Sequence, residues 1–152
     1  MIIAGSGYLL EKLRNLTKSL GLESKISFFV GPTDEELGRL NSISNVFVCP
    51  SIIDSKGETE GLGLVIVEAM EFNLPVVATS VGGIVDIVKN EINGLLVPEK
   101  DPTLIARAIE RLILDKELAR KIVENSKTTV REFFPRTIAQ EYFDIFKTLV
   151  NT

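Results

Sequence analysis

Short apolar runs rich in β-branched residues alternate along the chain with longer amphipathic stretches. This alternation is typical of a parallel β-sheet flanked by helices. Five of the short runs are predicted to be strands, over residues 1–4, 26–30, 46–49, 75–79 and 94–97. From Asp101 onward the pattern is helical throughout. The sequence therefore predicts an α/β fold, a Rossmann-like parallel sheet flanked by helices, with a helical C-terminal segment over about residues 116–150.

Residues at the predicted helix boundaries support this interpretation. Residues 8–20 carry leucines on one helical face, and Thr33 is predicted to cap a second helix whose first turn is acidic. Asp101 followed by Pro102 is typical of an N-cap and a first helical residue. The last two helices are predicted over residues 116–133 and 136–150.

The apolar segment 62–67, Leu-Gly-Leu-Val-Ile-Val, is ambiguous between strand and helix. We predict a helix that is buried on several sides, because a strand here would leave almost no crossover to the strand at 75–79. Glu68 would then lie inside an apolar helix, where an unpaired carboxylate is costly. We therefore expect Glu68 to be paired or bound to hydroxyl groups.

The composition indicates one globular domain over residues 1–152. Hydrophobic residues make up 45% and charged residues 25%. The chain has one cysteine, Cys49, and no histidine, which excludes an internal disulfide, Ser-His-Asp and Cys-His catalysis, and histidine metal sites. The net charge of −4 argues against a nucleic-acid partner. Because no signal peptide or membrane helix is apparent, we expect a cytoplasmic protein.

Eight of the eleven glycines follow predicted strands, where the loops of an open parallel sheet form the ligand crevice. Glycine there lets a backbone approach a phosphate-bearing ligand closely, although strand-to-helix turns need glycine whatever the function. The Gly5-Ser6-Gly7 turn lacks the third glycine of a dinucleotide fingerprint, since Leu10 stands in that place. The Walker pattern is absent as well.

Two carboxylates stand out in the middle of the chain. Glu60 precedes Gly61-Leu62-Gly63 after a predicted strand, and Glu68 follows on the predicted helix. Backbone N–H groups at a helix start beside a carboxylate can hold a pyrophosphate or a developing oxyanion. In the alternative interpretation, Glu68 pairs with a lysine and Glu60 is only a helix-cap acid.

Residues 60–70 are Glu-Gly-Leu-Gly-Leu-Val-Ile-Val-Glu-Ala-Met, followed by Leu-Pro-Val-Val-Ala-Thr at 74–79 and Val-Gly-Gly-Ile at 81–84. This stretch resembles the donor-binding half of family-four (group 1) retaining glycosyltransferases, whose E-x7-E motif Glu60 and Glu68 match. The resemblance continues at 5–13, 26–37, 46–51 and 93–98, so it covers nearly the whole chain. It implies the C-terminal half of a GT-B fold.

The resemblance also implies roles for individual residues. Glu60 matches the family acid that contacts the donor sugar, with a positioning and electrostatic role in a front-face retaining transfer; Glu58 is a rival acid that lacks the adjacent glycine pair, Gly61 and Gly63. Glu68 would accept hydrogen bonds from two ribose hydroxyls. The amides of Gly61, Leu62, Gly63 and Leu64 would hold sugar hydroxyls or the diphosphate. The remaining donor-site residues implied by the resemblance are Gly5, Ser6, Gly7, Gly31, Pro32 and Ser51.

Departures from the family pattern limit these expectations. The family's domain begins one strand earlier, with a glycine-arginine turn and a lysine that clamp the diphosphate, and the N-terminal acceptor domain is absent from this chain. We therefore expect the isolated chain to be inactive or very weakly active and to bind its donor feebly. The C-terminal helix normally crosses onto the acceptor domain, so its apolar residues are expected to be partly exposed or buried by self-association.

Three functions remain open. The first is the donor-binding domain of a hexosyltransferase, which uses a nucleotide-diphosphate sugar and reaches a glycan, lipid or other acceptor through a separate domain. The second is a non-catalytic nucleotide-binding or assembly module. The third, another GT-B enzyme such as a nucleotide-sugar epimerase, is disfavoured by the spacing of Glu60 and Glu68. No cofactor or metal is expected, because the resemblance implies metal independence and no Asp-x-Asp pattern occurs.

Overall fold

The computed structural model describes residues 1–150, except for the side chain of Val150. Residues 151 and 152, the end of the predicted domain, lie outside the described residues. The chain divides into two compact units, Met1–Ile43 and Ser44–Thr152. The single domain over 1–152 stays a prediction.

The first unit contains two strands and two helices: β1 (Ile2–Ala4), α1 (Leu10–Ser19), β2 (Ser27–Phe29) and α2 (Asp34–Ile43). The strands pair in parallel with Ile3 opposite Phe28. The predicted cap of α2 is confirmed, because the Thr33 hydroxyl accepts from the Glu36 N–H and the Glu36 carboxylate accepts from the Thr33 N–H. The leucine face of α1 is 38–61% exposed at Leu9, Leu13, Leu16 and Leu20.

The second unit is built on a three-stranded parallel sheet in the order β3–β4–β5. Val48 pairs with Val77, and Ala78 with Leu96. Its elements are β3 (Phe47–Cys49), α3 (Leu64–Glu71), β4 (Val76–Thr79), α4 (Ile84–Ile87), β5 (Leu95–Val97), α5 (Pro102–Leu114), α6 (Lys116–Glu132) and α7 (Pro135–Val150). All five predicted strands are confirmed within a residue or two at each end, whereas the short helix α4 was not predicted.

The core of the second unit lies on both faces of the central strand β4. Val76 and Ala78 pack on one face with side chains from α3, α4 and α6, and Val77 packs on the other with β5, α5 and α6. All four residues of β4 are buried. This double burial explains why three successive residues of the strand, Val76, Val77 and Ala78, are apolar rather than alternating with polar ones.

The ambiguous segment 62–67 becomes a helix from Leu64 onward, as predicted. Ile66, Val67, Ala69 and Met70 are buried, and they cover the side of α3 that faces the sheet and α6. The opposite side is exposed, so the expectation of burial on several sides is wrong for that side.

The helical C-terminal segment is also confirmed. The Asp101 side chain accepts from the N–H of Leu104, with Pro102 at the first helical position, and Asp115 caps α6 in the same way. On α7 the expected exposure is found at Ile138, Tyr142, Phe143, Ile145, Phe146 and Leu149. Within residues 1–150, no helix combines the length and the hydropathy that a bilayer crossing needs.

Candidate functional site

The carboxyl ends of β3 and β4 are tied together by a buried threonine. The Thr79 hydroxyl lies 2.5 Å from the carbonyl oxygen of Ser51 and 3.4 Å from that of Cys49. The next residue, Ser80, donates its N–H to the Val97 carbonyl at 2.8 Å. The loops that follow the three strands therefore start from fixed points. Thr79 is not among the predicted site residues; its signal in the sequence is a polar residue that ends an apolar strand.

Glu60 lies at the end of the β3–α3 loop and is half-buried. Its Oε1 accepts the N–H of Gly63 at 3.2 Å, and Gly63 is the residue that precedes α3. Gly63 has φ 82°, a left-handed conformation that favours glycine. One oxygen of Glu60 thus contacts the helix start, which is the helix-cap role that the sequence left open.

The Gly82–Gly83 turn after β4 packs directly on the backbone around Glu60. The Gly83 N–H donates to the Glu60 carbonyl at 3.3 Å. A Cβ on Gly82 would lie 2.1 Å from that carbonyl oxygen, and a Cβ on Gly83 would lie 2.0 Å from the Gly61 oxygen. Only glycine permits this approach, so the glycine pair positions the loop that carries Glu60. The two adjacent glycines are visible in the sequence, but their packing against the Glu60 loop is not.

The start of α3 presents backbone donors that nothing in residues 1–150 uses. The Gly63 N–H donates to the Glu60 carboxylate, and the Ile66 N–H donates to the Gly63 carbonyl. No acceptor among the described residues takes the N–H groups of Gly61, Leu62, Leu64 and Val65. These residues are exposed. Such donors at a helix N-terminus suit an anion or a hydroxyl oxygen.

Glu68 lies on the exposed side of α3, one turn after Leu64 and on the same face. It makes no hydrogen bond or ion pair with residues 1–150, and its exposure corrects the expectation that Glu68 is buried inside an apolar helix; the expected binding to hydroxyl groups stays a prediction. The helical period explains the difference, because only one face of α3 contacts the core. The structure also gives Glu68 no lysine partner within that part of the chain. Its carboxylate is open to a ligand.

The negative charge of Glu60 acts on Cys49, the last residue of β3. Burial raises the pKa of the Cys49 thiol, the Glu60 carboxylate adds to the rise, and the hydrogen-bonded Ser51 hydroxyl opposes it. Cys49, Ser51 and Glu60 therefore share one electrostatic environment. Of the predicted site residues, Ser51, Glu60, the stretch Gly61, Leu62, Gly63 and Leu64, and Glu68 all lie in the second unit.

Residues 52–59 form a loop that is closed by hydrogen bonds between its two arms. Asp54 Oδ1 accepts from the N–H groups of Lys56 and Glu58, and the Asp54 N–H donates to the Glu58 carbonyl. Glu99, which follows β5, accepts the Ile53 N–H at 2.7 Å. That contact and the neighbouring Lys100 hold the pKa of Glu99 below its usual value.

The other predicted residues lie in the first unit. Gly5, Ser6 and Gly7 line a cavity of about 280 Å³ with apolar walls that include Tyr8 and Leu13. The Gly5 N–H donates to the Phe29 carbonyl at 2.9 Å.

Gly31 and Pro32 follow β2 in the same unit. Gly31 is exposed and Pro32 is half-buried. Their assignment to a donor site stays a prediction, as does that of Gly5, Ser6 and Gly7. Among the described residues, no three acidic or cysteine side chains are grouped as metal ligands would be.

A family model and curated proteins that match this chain are all glycosyltransferases. Residues 1–129 match the family model "Glycosyl transferases group 1". An uncharacterized glycosyltransferase of Methanocaldococcus jannaschii is 35% identical over 97% of this chain and 36% of its own length. A GDP-mannose-dependent alpha-(1-6)-phosphatidylinositol monomannoside mannosyltransferase of Mycobacterium tuberculosis is 32% identical over 78% of this chain and 31% of its own.

Among solved structures, the Anabaena protein HepE in complex with UDP-glucose superposes with a TM-score of 0.82 at 25% identity, over 97% of this chain and 40% of that one. The α/β fold expected from GT-B glycosyltransferases is thereby confirmed. The chain spans 31–40% of the length of these three proteins. With a family model that matches 129 of its residues, this chain belongs to the group 1 glycosyl transferases.

Proposed function

We propose that this chain binds the nucleotide-diphosphate sugar donor of a retaining glycosyltransferase. The observation that carries the proposal is the start of α3. There the half-buried Glu60 stands beside four N–H groups without acceptors in residues 1–150, and Glu68 stands on the adjacent exposed face. Donors and carboxylates so close together suit a ligand that has both anionic oxygens and hydroxyl groups.

Each part of the site has a task in this proposal. The N–H groups of Gly61, Leu62 and Leu64 donate to diphosphate or sugar oxygens. Glu68 accepts from two neighbouring ribose hydroxyls, since a carboxylate has two oxygens for a bidentate contact. Glu60 contacts the sugar and stabilises positive charge that develops at the anomeric carbon of a front-face transfer.

Two similar proteins support a hexose donor. The mycobacterial relative is named for its dependence on GDP-mannose, and the Anabaena structure holds UDP-glucose. Both ligands combine a nucleoside diphosphate with a hexose. We assign the same ligand class to this chain, together with transfer that needs no resident metal.

Acceptor binding belongs, in this proposal, to a part of the enzyme outside these residues. The chain spans about a third of its curated relatives, and a glycan, a lipid or another acceptor needs its own surface. We expect the isolated chain to be inactive or weakly active. We also expect weak donor binding, because Lys56 is the one basic residue between Cys49 and Leu64, and a diphosphate gains most from cationic partners. Self-association through α7 stays a prediction.

A non-catalytic binding module is the second candidate. It is favoured by the contact between Glu60 and Gly63, because that hydrogen bond gives Glu60 a structural role without any substrate. Transfer activity in the presence of an acceptor-binding domain separates the two candidates. NMR of the product anomer then tests retention.

The decisive first experiment is a titration of the chain with UDP- and GDP-hexoses, followed by amide shifts in NMR spectra. Glu68→Ala should weaken binding by about tenfold or more, because charge-assisted hydrogen bonds are lost. Glu71→Ala is the matched control, since Glu71 is an exposed carboxylate at the end of the same helix. Equal affinities for the wild type and both variants would contradict the assignment of Glu68.

A further inference from the structure

The loop between β3 and α3 has two arms that are joined at their far ends. The hydrogen bonds between Asp54 and Glu58 close a turn over residues 54–58. Ile53 therefore lies at the base of one arm and Thr59 at the base of the other. A force that fixes Ile53 also fixes Thr59 and its neighbour Glu60, because the closed turn cannot lengthen without breaking these bonds.

The first arm is held at Ile53 from outside the loop. The Ile53 N–H donates to Glu99 Oε2 at 2.7 Å, and Lys100 Nζ donates to the Ile53 carbonyl at 2.8 Å. The two side chains also pair with each other at 3.1 Å. Both backbone groups of one residue are thus held by an ion pair 46 and 47 positions later in the chain. Such a double contact restrains the peptide in both translation and rotation.

The second arm ends in the proposed donor site. The Glu60 carbonyl accepts the Gly83 N–H, and the Glu60 carboxylate accepts the Gly63 N–H. These bonds, at 3.3 and 3.2 Å, are longer than those at Ile53. The Gly83 contact thus holds the Glu60 backbone from one side, and the contact at Ile53 holds the other end of the loop.

We propose that Glu99 and Lys100 are positioning residues, which hold Ile53 and through the closed loop set the place of the Glu60 carboxylate. The consequence for donor recognition rests on the proposed function. The ion pair touches neither ligand nor reacting atom in this proposal. It selects for the sugar moiety of the donor by keeping Glu60 at a fixed place.

The Gly63 amide provides a direct test, because its N–H bonds to the Glu60 carboxylate and its NMR shift depends on that bond, with Glu60→Ala as the reference in which the bond is lost. In Glu99→Ala, which removes the acceptor of Ile53, we expect the Gly63 amide to move by about half or more of the change seen in Glu60→Ala as the bond lengthens. Lys100→Met should act in the same direction. Glu117→Ala, which removes an exposed carboxylate from the ion pair with Arg120, should change nothing.

Glu99→Gln separates positioning from a change of charge. The amide oxygen of glutamine can still accept the Ile53 N–H, so the Gly63 amide shift should return toward that of the wild type. An effect of charge alone would be equal in Glu99→Gln and Glu99→Ala. An unchanged Gly63 amide shift in Glu99→Ala, with only the Ile53 amide moved, would overturn the proposal.

Donor binding is then compared between a nucleoside diphosphate hexose and the same nucleoside diphosphate. Glu99→Ala should weaken the sugar nucleotide roughly fivefold and leave the free nucleotide nearly unchanged. Equal weakening of both ligands would overturn the selective role. A wild type that binds neither ligand would refute the proposed function, whereas the Gly63 amide shift still decides whether Glu99 positions Glu60.

Discussion

Gly83→Ala is expected to destabilise the protein and to displace the loop that carries Glu60. Gly83 has φ −72° and ψ −5°, so its backbone conformation is open to alanine and the substitution tests packing alone. The added Cβ would lie 2.0 Å from the Gly61 oxygen and 3.0 Å from the Leu62 Cα. Ordinary contact begins near 3.4 Å, so the Gly61 peptide must move by more than about 1 Å.

The free energy of unfolding should fall by about 3 kcal/mol. Overpacking of this kind costs about 1–3 kcal/mol, and the hydrogen bond from Gly83 to the Glu60 carbonyl is worth about 1 kcal/mol. The lower entropy of alanine in the unfolded chain returns about 0.5 kcal/mol. For a chain of this length the melting temperature should drop by about 6–12 °C.

Urea denaturation followed by circular dichroism measures this change, and Gly61→Ala is the matched control. Gly61 lies on the other side of the same contact, yet a Cβ there would meet nothing within 4 Å. We expect the control to stay within about 0.5 kcal/mol of the wild type. If Gly83→Ala were as stable as Gly61→Ala, the argument that the glycine turn packs on the Glu60 loop would be refuted.

Three further outcomes are expected. Asn93→Ala should lower the free energy of unfolding, measured in urea, by about 3 kcal/mol. The buried Asn93 amide group donates to one carbonyl and one hydroxyl oxygen and accepts one backbone N–H, and alanine loses all three hydrogen bonds. Glu60→Gln should lower the pKa of the Cys49 thiol, so that alkylation begins at lower pH; an unchanged alkylation profile would argue against their proximity. The hydrogen bond from Ile53 to Glu99 should persist as pH falls through the ordinary carboxyl range and break only below it, because the folded-state pKa of Glu99 is lowered. The stability that this bond contributes is present above the unfolded-state pKa of Glu99 and is lost as pH falls through the folded-state pKa. The NMR shift of the Ile53 amide measures the loss of the bond.

Local signals in the sequence were sufficient for most of the elements. The strands could be predicted because four of the five apolar runs end at glycine or proline, and α5 because Asp101 and Pro102 form a standard helix start. The helix α4 could not be predicted, since four residues give no period. The residues Glu60 and Glu68 were found through their spacing and the family resemblance.

What the sequence could not supply was the direction in which each side chain faces. The apolar residues around Glu68 suggest that it is buried, yet α3 contacts the core along only one side and Glu68 lies on the other. Likewise the leucines of α1 form one face in the sequence but are exposed in the first unit. Periodicity groups residues on a face, and only packing between elements decides whether that face is covered.

Propensity and spacing over a few residues are enough to predict the class of fold, the order of the elements and the two carboxylates Glu60 and Glu68. The packing of Gly83 on the Glu60 loop and the contact of Glu99 with Ile53, by contrast, are visible only in the folded chain. Those contacts join residues more than 20 positions apart. They depend on the parallel order β3–β4–β5, which brings the ends of three strands to one edge of the sheet.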